Sequence, residues 1–222
     1  MGCMLLDMSP RLAVAVLNRY DLLRRMLESI AAGSQWPAAI LILDNGGLLE
    51  TTHEALPLDE LITVSGATEP RSVAASWNDA IRWAQGPLVI TNDDIVWGPD
   101  AFRAMARALR YGEPDIVTSE NVGGFACFGL SRELVENVGY LDERFAPAYF
   151  EDEDYRYRMR LKGFELRNVP GCTITHVRSA TVQMLAEPER QMLAMRYKQN
   201  LALYRQKWGG VVGQETCREA QI

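Results

Sequence analysis

The chain predicts an α/β fold with a Rossmann-like, mostly parallel central sheet, flanking helices and a C-terminal helix, and three features of the sequence point there. Apolar runs of strand length alternate with stretches of helical periodicity, the pattern of β-α units joined by crossovers. These runs are continuously apolar, as in strands covered on both faces. Polar residues collect just after them, at Asn18, Asp44 and Asn92-Asp93-Asp94, which is where parallel sheets bind ligands.

The elements follow in order. Leu12 to Leu17 reads as a strand, with Asn18 and Asp21 as helix caps before the periodic Leu22, Leu23, Met26, Leu27 and Ile30. Ala39 to Leu43 is a buried strand stopped by the turn Asp44-Asn45-Gly46-Gly47. Leu61 to Val64 is a third strand, Arg71 to Ala84 a helix, and Gly86-Pro87 breaks the chain before the strand Leu88 to Thr91. Pro99 suits the first turn of a helix running to about Arg110. The pattern then changes, through Asp115 to Thr118, a Gly123-Gly124 loop, the apolar run Phe125 to Leu130, a short helix from Ser131, and strands at Leu166 to Val169 and Thr173 to Val177. Pro188 to about Trp208 reads as a long amphipathic helix, with Leu193, Tyr197, Leu201 and Tyr204 near helical spacing.

Composition narrows the function. A length of 222 residues with 48% hydrophobic and 23% charged side chains fits one domain with a sizeable core. A net charge of -6 argues against general nucleic-acid binding, which needs a basic surface. The four cysteines, Cys3, Cys127, Cys172 and Cys217, form no Cys-x-x-Cys pair, so a reducing cytoplasm is the expected location. Met1 to Pro10 lacks the features of a secretory signal, Leu6 stands where an acylation signal needs Ser or Thr, and no apolar run reaches the roughly 18 residues of a transmembrane segment.

The densest chemistry lies at Tyr149-Phe150-Glu151-Asp152-Glu153-Asp154-Tyr155-Arg156-Tyr157-Arg158. Carboxylates suit a helix N-terminus, and Asp152/Arg156 and Asp154/Arg158 stand at i,i+4 spacing. Asn92-Asp93-Asp94 offers carboxylates to a hard divalent cation, and His176 ends a later apolar strand. Taken singly each has an ordinary explanation: Asn-Asp-Asp and Asp44-Asn45-Gly46 form turns, a lone histidine sits at a surface, and aromatic residues beside a helix start belong to a core.

The order of these groups resembles the family 2 glycosyltransferases of the GT-A fold over roughly residues 11 to 210. The resemblance is carried by Ala13-Val-Ala-Val-Leu-Asn18-Arg19, Ile40-Leu-Ile-Leu-Asp44, Ser72-Val-Ala-Ala-Ser-Trp77-Asn78-Asp79, and Asn92-Asp93-Asp94 at the DxD position with Asn92 replacing the first aspartate. Its most specific block is Ala126-Cys-Phe-Gly-Leu-Ser-Arg132, Val138-Gly139-Tyr140-Leu141-Asp142, Phe150-Glu151-Asp152, Gly163-Phe164 and His176, followed by Lys207-Trp208-Gly209.

The resemblance implies an inverting, metal-dependent transfer of sugar from a nucleotide-sugar donor, by default a UDP-sugar, to a glycan or other hydroxyl acceptor. It implies Asp152 as general base beside Glu151, a Mn2+ or Mg2+ ion held by Asp94 and His176, and Asn18, Asp44, Arg71, Asn78, Asn92 and Asp93 near the donor. It further divides the single GT-A domain, residues 1–222, into a nucleotide-sugar half at about 11–120, an acceptor and catalytic half at about 121–180, and a helical appendage at about 181–222 serving as a brace or a homo-oligomer surface. A non-catalytic sugar-nucleotide or glycan-binding module on the same fold is the alternative; a nucleotidyltransferase or phosphohydrolase calls for a Gly-rich phosphate loop or a denser acidic cluster.

Overall fold

Strand β1 (Arg11–Val16) lies inside a seven-stranded sheet, parallel to β2 (Ile40–Asp44) on one side and β4 (Leu88–Asn92) on the other, with β3 (Ile62–Gly66) parallel outside β2. The computed structural model describes residues 9–49, 55–109, 113–177 and 184–221. Beyond β4 the direction changes: β7 (Cys127–Leu130) runs antiparallel to both β4 and β6 (Ile116–Ser119), and β8 (Arg167–Val169) closes the edge parallel to β6. A separate two-stranded ribbon pairs β5 (Ile95–Trp97) with β9 (Ile174–His176).

The two faces of the sheet follow from the period of two. Leu12, Val14, Val16, Ile40 and Ile42 meet Leu23, Met26, Leu27 and Ile30 of α1 (Tyr20–Ala31). The intervening Ala13, Leu41, Leu43 and Ile90 meet Ala74, Trp77 and Ala80 of α2 (Val73–Ala84). Each fully buried Leu or Ile contributes about 1.5–3 kcal/mol, so both layers are needed.

Several boundaries differ from the sequence expectation. Neither Asn18 nor Asp21 caps α1; Arg19 is the cap residue without a side-chain cap bond, and Asp21 in the first turn accepts from Arg19 at 2.7 and 2.8 Å. Ser72 caps α2 by accepting from Ala75 N–H at 3.1 Å, which moves its start past Arg71. Helix α3 (Ala101–Ala108) stops where Leu109 turns extended, and Arg110, like Cys3 and Leu6, lies outside the described residues. The short β5 has no local signature, because only its pairing with β9 makes it a strand.

Helix α4 (Arg132–Val138) is capped by Ser131, and α5 (Glu151–Leu161) carries the acidic run. Helix α6 (Glu187–Trp208) departs from the amphipathic expectation: it buries Asn200, Tyr204, Lys207 and Trp208, while Met192 and Met195 are exposed. Tyr204 and Trp208 close a small core with Phe145, Phe150 and Tyr157. Among the described residues no helix is long and apolar enough to cross a membrane.

Candidate active site

The strand ends assemble the first group of side chains. Asp44 is fully buried at the end of β2, where Oδ1 accepts from the Tyr20 hydroxyl at 2.5 Å and Gly47 N–H at 2.9 Å, and Oδ2 from Leu49 N–H at 2.9 Å. Burial and this bond push the Tyr20 hydroxyl up to about 12. Gly46 is required in this loop, since a Cβ there would collide with the Leu17 carbonyl and the Tyr20 hydroxyl. Asp44 therefore shapes the turn that its sequence position suggested, its buried carboxyl group held by three donors.

Arg71 and Asn78 are used by the protein itself. The Arg71 guanidinium donates to Ser65 O at 3.3 Å, Gly66 O at 3.0 Å and Asn45 Oδ1 at 3.2 Å, and faces Asp79 at 3.1 Å. Asn78 is buried; it accepts from Leu141 N–H at 2.9 Å and donates to Leu141 O at 3.0 Å and Glu143 Oε1 at 2.8 Å. These bonds fix α2 to the strand ends and to the segment after α4.

Asn92 ends β4 half-buried, and Asp93 and Asp94 follow it, both buried. Burial, then the charge of Asp94, pushes Asp93 up to about 7 against the pull of Arg19. Burial also raises Asp94, opposed mainly by His176. The ribbon brings those two together: Ile95 pairs with His176, Val177 N–H donates to Asp94 O at 2.9 Å, and His176 Nε2 stands 3.2 Å from Asp94 Oδ1. That buried Oδ1 makes no well-formed hydrogen bond. Asn121, which no sequence motif singles out, seats β9 by donating to Ile174 O at 2.7 Å and accepting from Ile174 N–H at 3.0 Å.

Among the described residues no group of three His, Cys, Asp or Glu side chains converges as a metal site. A carboxylate with an unsatisfied buried oxygen beside an imidazole nonetheless fits a divalent ion of the kind that completes its shell with substrate phosphates and water.

The second group lies at the start of α5. Tyr149 and Phe150 adopt φ values of 78° and 73°, a left-handed pair costing on the order of 1–3 kcal/mol per residue for non-glycine side chains. Glu151 follows with Oε2 buried and without a hydrogen-bond partner, and burial plus the neighbouring Asp152 charge pushes it up to about 8. Asp152 is half-buried, accepts from Glu153 N–H at 2.8 Å, and is raised by burial against that bond and Arg156. No hydrogen bond or ion pair among the described residues joins Asp152 to Asp94 or His176.

Asp154 has a different fate. It is fully buried and takes Arg158 Nε at 2.9 Å, Trp208 Nε1 at 2.9 Å and Lys207 Nζ at 2.6 Å. The expected Asp154/Arg158 pair is formed, whereas Arg156 instead stands over the Phe125 ring at 5.8 Å. A cleft of about 470 Å3 lined by Arg82, Gln85, Leu130 and Tyr140 holds none of the expected site residues.

This sheet, with its added ribbon and acidic strand end, is the GT-A glycosyltransferase fold. It is shared with the mannosyltransferase PcManGT from Pyrobaculum calidifontis, solved in complex with GDP-Man and Mn2+, at a TM-score of 0.62 and 18% identity over 87% of this chain and 63% of that one. GalNAc-T7, solved with UDP, GalNAc and Mn2+, gives a TM-score of 0.66 at 12% identity over 76% of this chain and 44% of that one. Residues 12–180 match the family described as Glycosyl transferase family 2, and the chain belongs to that family. It is also 48% identical over 40 residues to a galactofuranosyl glycosyltransferase of Leishmania donovani, a match covering 18% of this chain and 9% of that relative. The chain thus spans less than two thirds of these proteins.

Proposed function

We propose that the protein is an inverting glycosyltransferase that moves a sugar from a nucleoside diphosphate donor to an acceptor hydroxyl. The observation that carries the reading is the pairing of Asp94 with His176 on one ribbon, in a chain that also presents Asp152 and an unsatisfied Glu151 at a helix start. Asp94 and His176 are the residues that would hold a Mn2+ or Mg2+ ion. Such an ion, when bound, neutralises charge building on the departing diphosphate.

The protein's own groups supply the rest. Asp152 takes the proton from the attacking hydroxyl as the new glycosidic bond forms on the face opposite the breaking one, which inverts the anomeric centre; such a base is worth about 10²–10⁴-fold in rate. Burial raises Asp152 toward the pH range where a base accepts a proton effectively. Glu151, raised to about 8, is protonated at neutral pH and donates a hydrogen bond to an acceptor oxygen. Asn18, Asp44, Asn92 and Asp93 border the nucleotide and ribose, Asp44 through the loop it organises, and Arg71 and Asn78 hold that frame from behind.

UDP donors are the default from the family, and the GDP-Man and UDP complexes of the two solved neighbours define the first donors to try. The cytoplasmic assignment rests on the scattered cysteines alone, and the uncovered turns of α6 around Met192 and Met195 are the surface for homo-oligomerisation, which light scattering checks. Nucleoside diphosphate release, measured over a donor panel with and without hydroxyl acceptors, tests the whole reading: acceptor-dependent release supports transfer, and donor binding without release leaves a binding module.

A further inference from the structure

We infer that the last two turns of α6 are a positioning brace for the segment that presents Glu151 and Asp152, with Asn200 as its principal positioning residue. The kinetic part of this inference rests on the glycosyltransferase reading above. The segment needs an external hold, because two successive left-handed residues, Tyr149 and Phe150, precede Glu151 and have no glycine to relieve them.

Asn200 supplies that hold. It is 4% exposed, and its Nδ2 donates to Ala148 O at 2.9 Å, Tyr149 O at 3.2 Å and Ala146 O at 3.4 Å. One amide thus ties three carbonyls of the strained run to a helix that comes from far along the chain. One turn on, the Tyr204 ring packs 5.7 Å from that of Phe150. A further turn on, Lys207 Nζ and Trp208 Nε1 reach Asp154 Oδ1 at 2.6 and 2.9 Å, and Lys207 also reaches Asp142 at 2.7 Å.

The i,i+4 spacing of Asn200, Tyr204 and Trp208 places the three grips on one face of α6. They take hold before, at and after the left-handed pair. Asp154 stands in the same turn as Asp152, so α5 cannot roll about its axis without breaking buried charged contacts, and the direction of Asp152 is fixed accordingly. None of these α6 side chains needs to touch substrate.

The test uses Asn200→Ala and the near-isosteric Asn200→Asp, which lacks the donors, in the full chain. Hydrogen exchange at the backbone amides of residues 149–154 is expected to speed up at least tenfold, with β1, β2 and β4 unchanged. The kcat for nucleoside diphosphate release is expected to fall at least tenfold, with the Kd for UDP and Mn2+ within twofold of wild type. Unchanged exchange in 149–154, or raised exchange with wild-type kcat, overturns the brace, as does a lowered melting temperature with no change in either. Should the wild-type protein release no nucleoside diphosphate with any acceptor, the glycosyltransferase reading fails, and the exchange comparison alone decides the brace.

Discussion

The strand-end carboxylates and the helix-start carboxylates solve the same problem in two ways. At the strand ends Asp44 is saturated by a hydroxyl and two backbone N–H groups from its own turn, so it is a builder of the loop, while Asp94 beyond it has a buried oxygen without a hydrogen bond and Asp93 is pushed up by burial. At the start of α5 the saturated member is Asp154, and two of its three donors, Lys207 and Trp208, come from the far end of the chain while Arg158 is one turn away; Glu151 and Asp152 are the ones raised by burial. In each region one carboxylate is spent on structure so that its neighbours need not be. The difference lies in reach: Asp44 is held by Tyr20 and by its own turn, whereas the helix-start frame depends on α6.

That contrast can be broken at defined points. Asp152→Asn should lower transfer by about 10²–10⁴-fold with UDP affinity unchanged, read from steady-state rates beside calorimetric titration; loss of UDP binding would reassign the residue to donor recognition. Lys207→Met, which removes the cation shared by Asp142 and Asp154, should cost about 3–5 kcal/mol in urea unfolding. Asp142 is held well below the ordinary carboxylate range despite its burial, by Arg144 and Lys207, so the cost should shrink as acid protonates it. Asp94→Ala and His176→Ala should each weaken Mn2+ activation, on the order of 100-fold in half-saturation, and full activity in a chelator would remove the ion from the account.

Glu151 sharpens the comparison through pH. Its folded value near 8 lies above its ordinary 4.5, so the native state holds the proton more tightly and stability is greatest in acid. Stability should then decline as pH rises through 8, by about 2 kcal/mol between pH 6 and 8. Glu151→Gln should flatten that slope in pH-dependent urea unfolding. The smallest effect is expected at Asp44→Asn, which keeps the shape but weakens three bonds: about 1 kcal/mol in stability and a several-fold rise in donor KM. An unaltered donor KM returns Asp44 to turn-making alone.

The sheet was legible because β1, β2 and β4 are buried on both faces and read as unbroken apolar runs. The closeness of Asp94 to His176 was legible only through the order of motifs, since neither residue type nor spacing reveals that the β5–β9 ribbon brings them together. Local reading failed where a partner distant in sequence decides the outcome. It misses β5, which exists by pairing with β9; it pairs Asp154 with Arg158 but does not reveal Lys207 and Trp208, which come from another helix; and it passes over Asn200 and Tyr20, ordinary residues until their partners are known. The cap at Asn18 or Asp21 failed for a nearer reason, because Arg19 captures the Asp21 carboxylate.

The antiparallel ribbon of β5 and β9 has one more consequence, for how this architecture can diversify. Because Ile95 is in register with His176, the gap between the imidazole and the Asp94 carboxylate is set by a backbone ladder, to which the intervening chain adds the Asn121 seat on Ile174. Insertions between Gly98 and Thr173 that leave Asn121 in place can lengthen loops without detuning that gap. A single-residue slip of the ribbon, by contrast, would bring Thr175 or Val177 to the position of His176 and turn its side chain to the other face. Variation is thereby free in the loops and forbidden in the register.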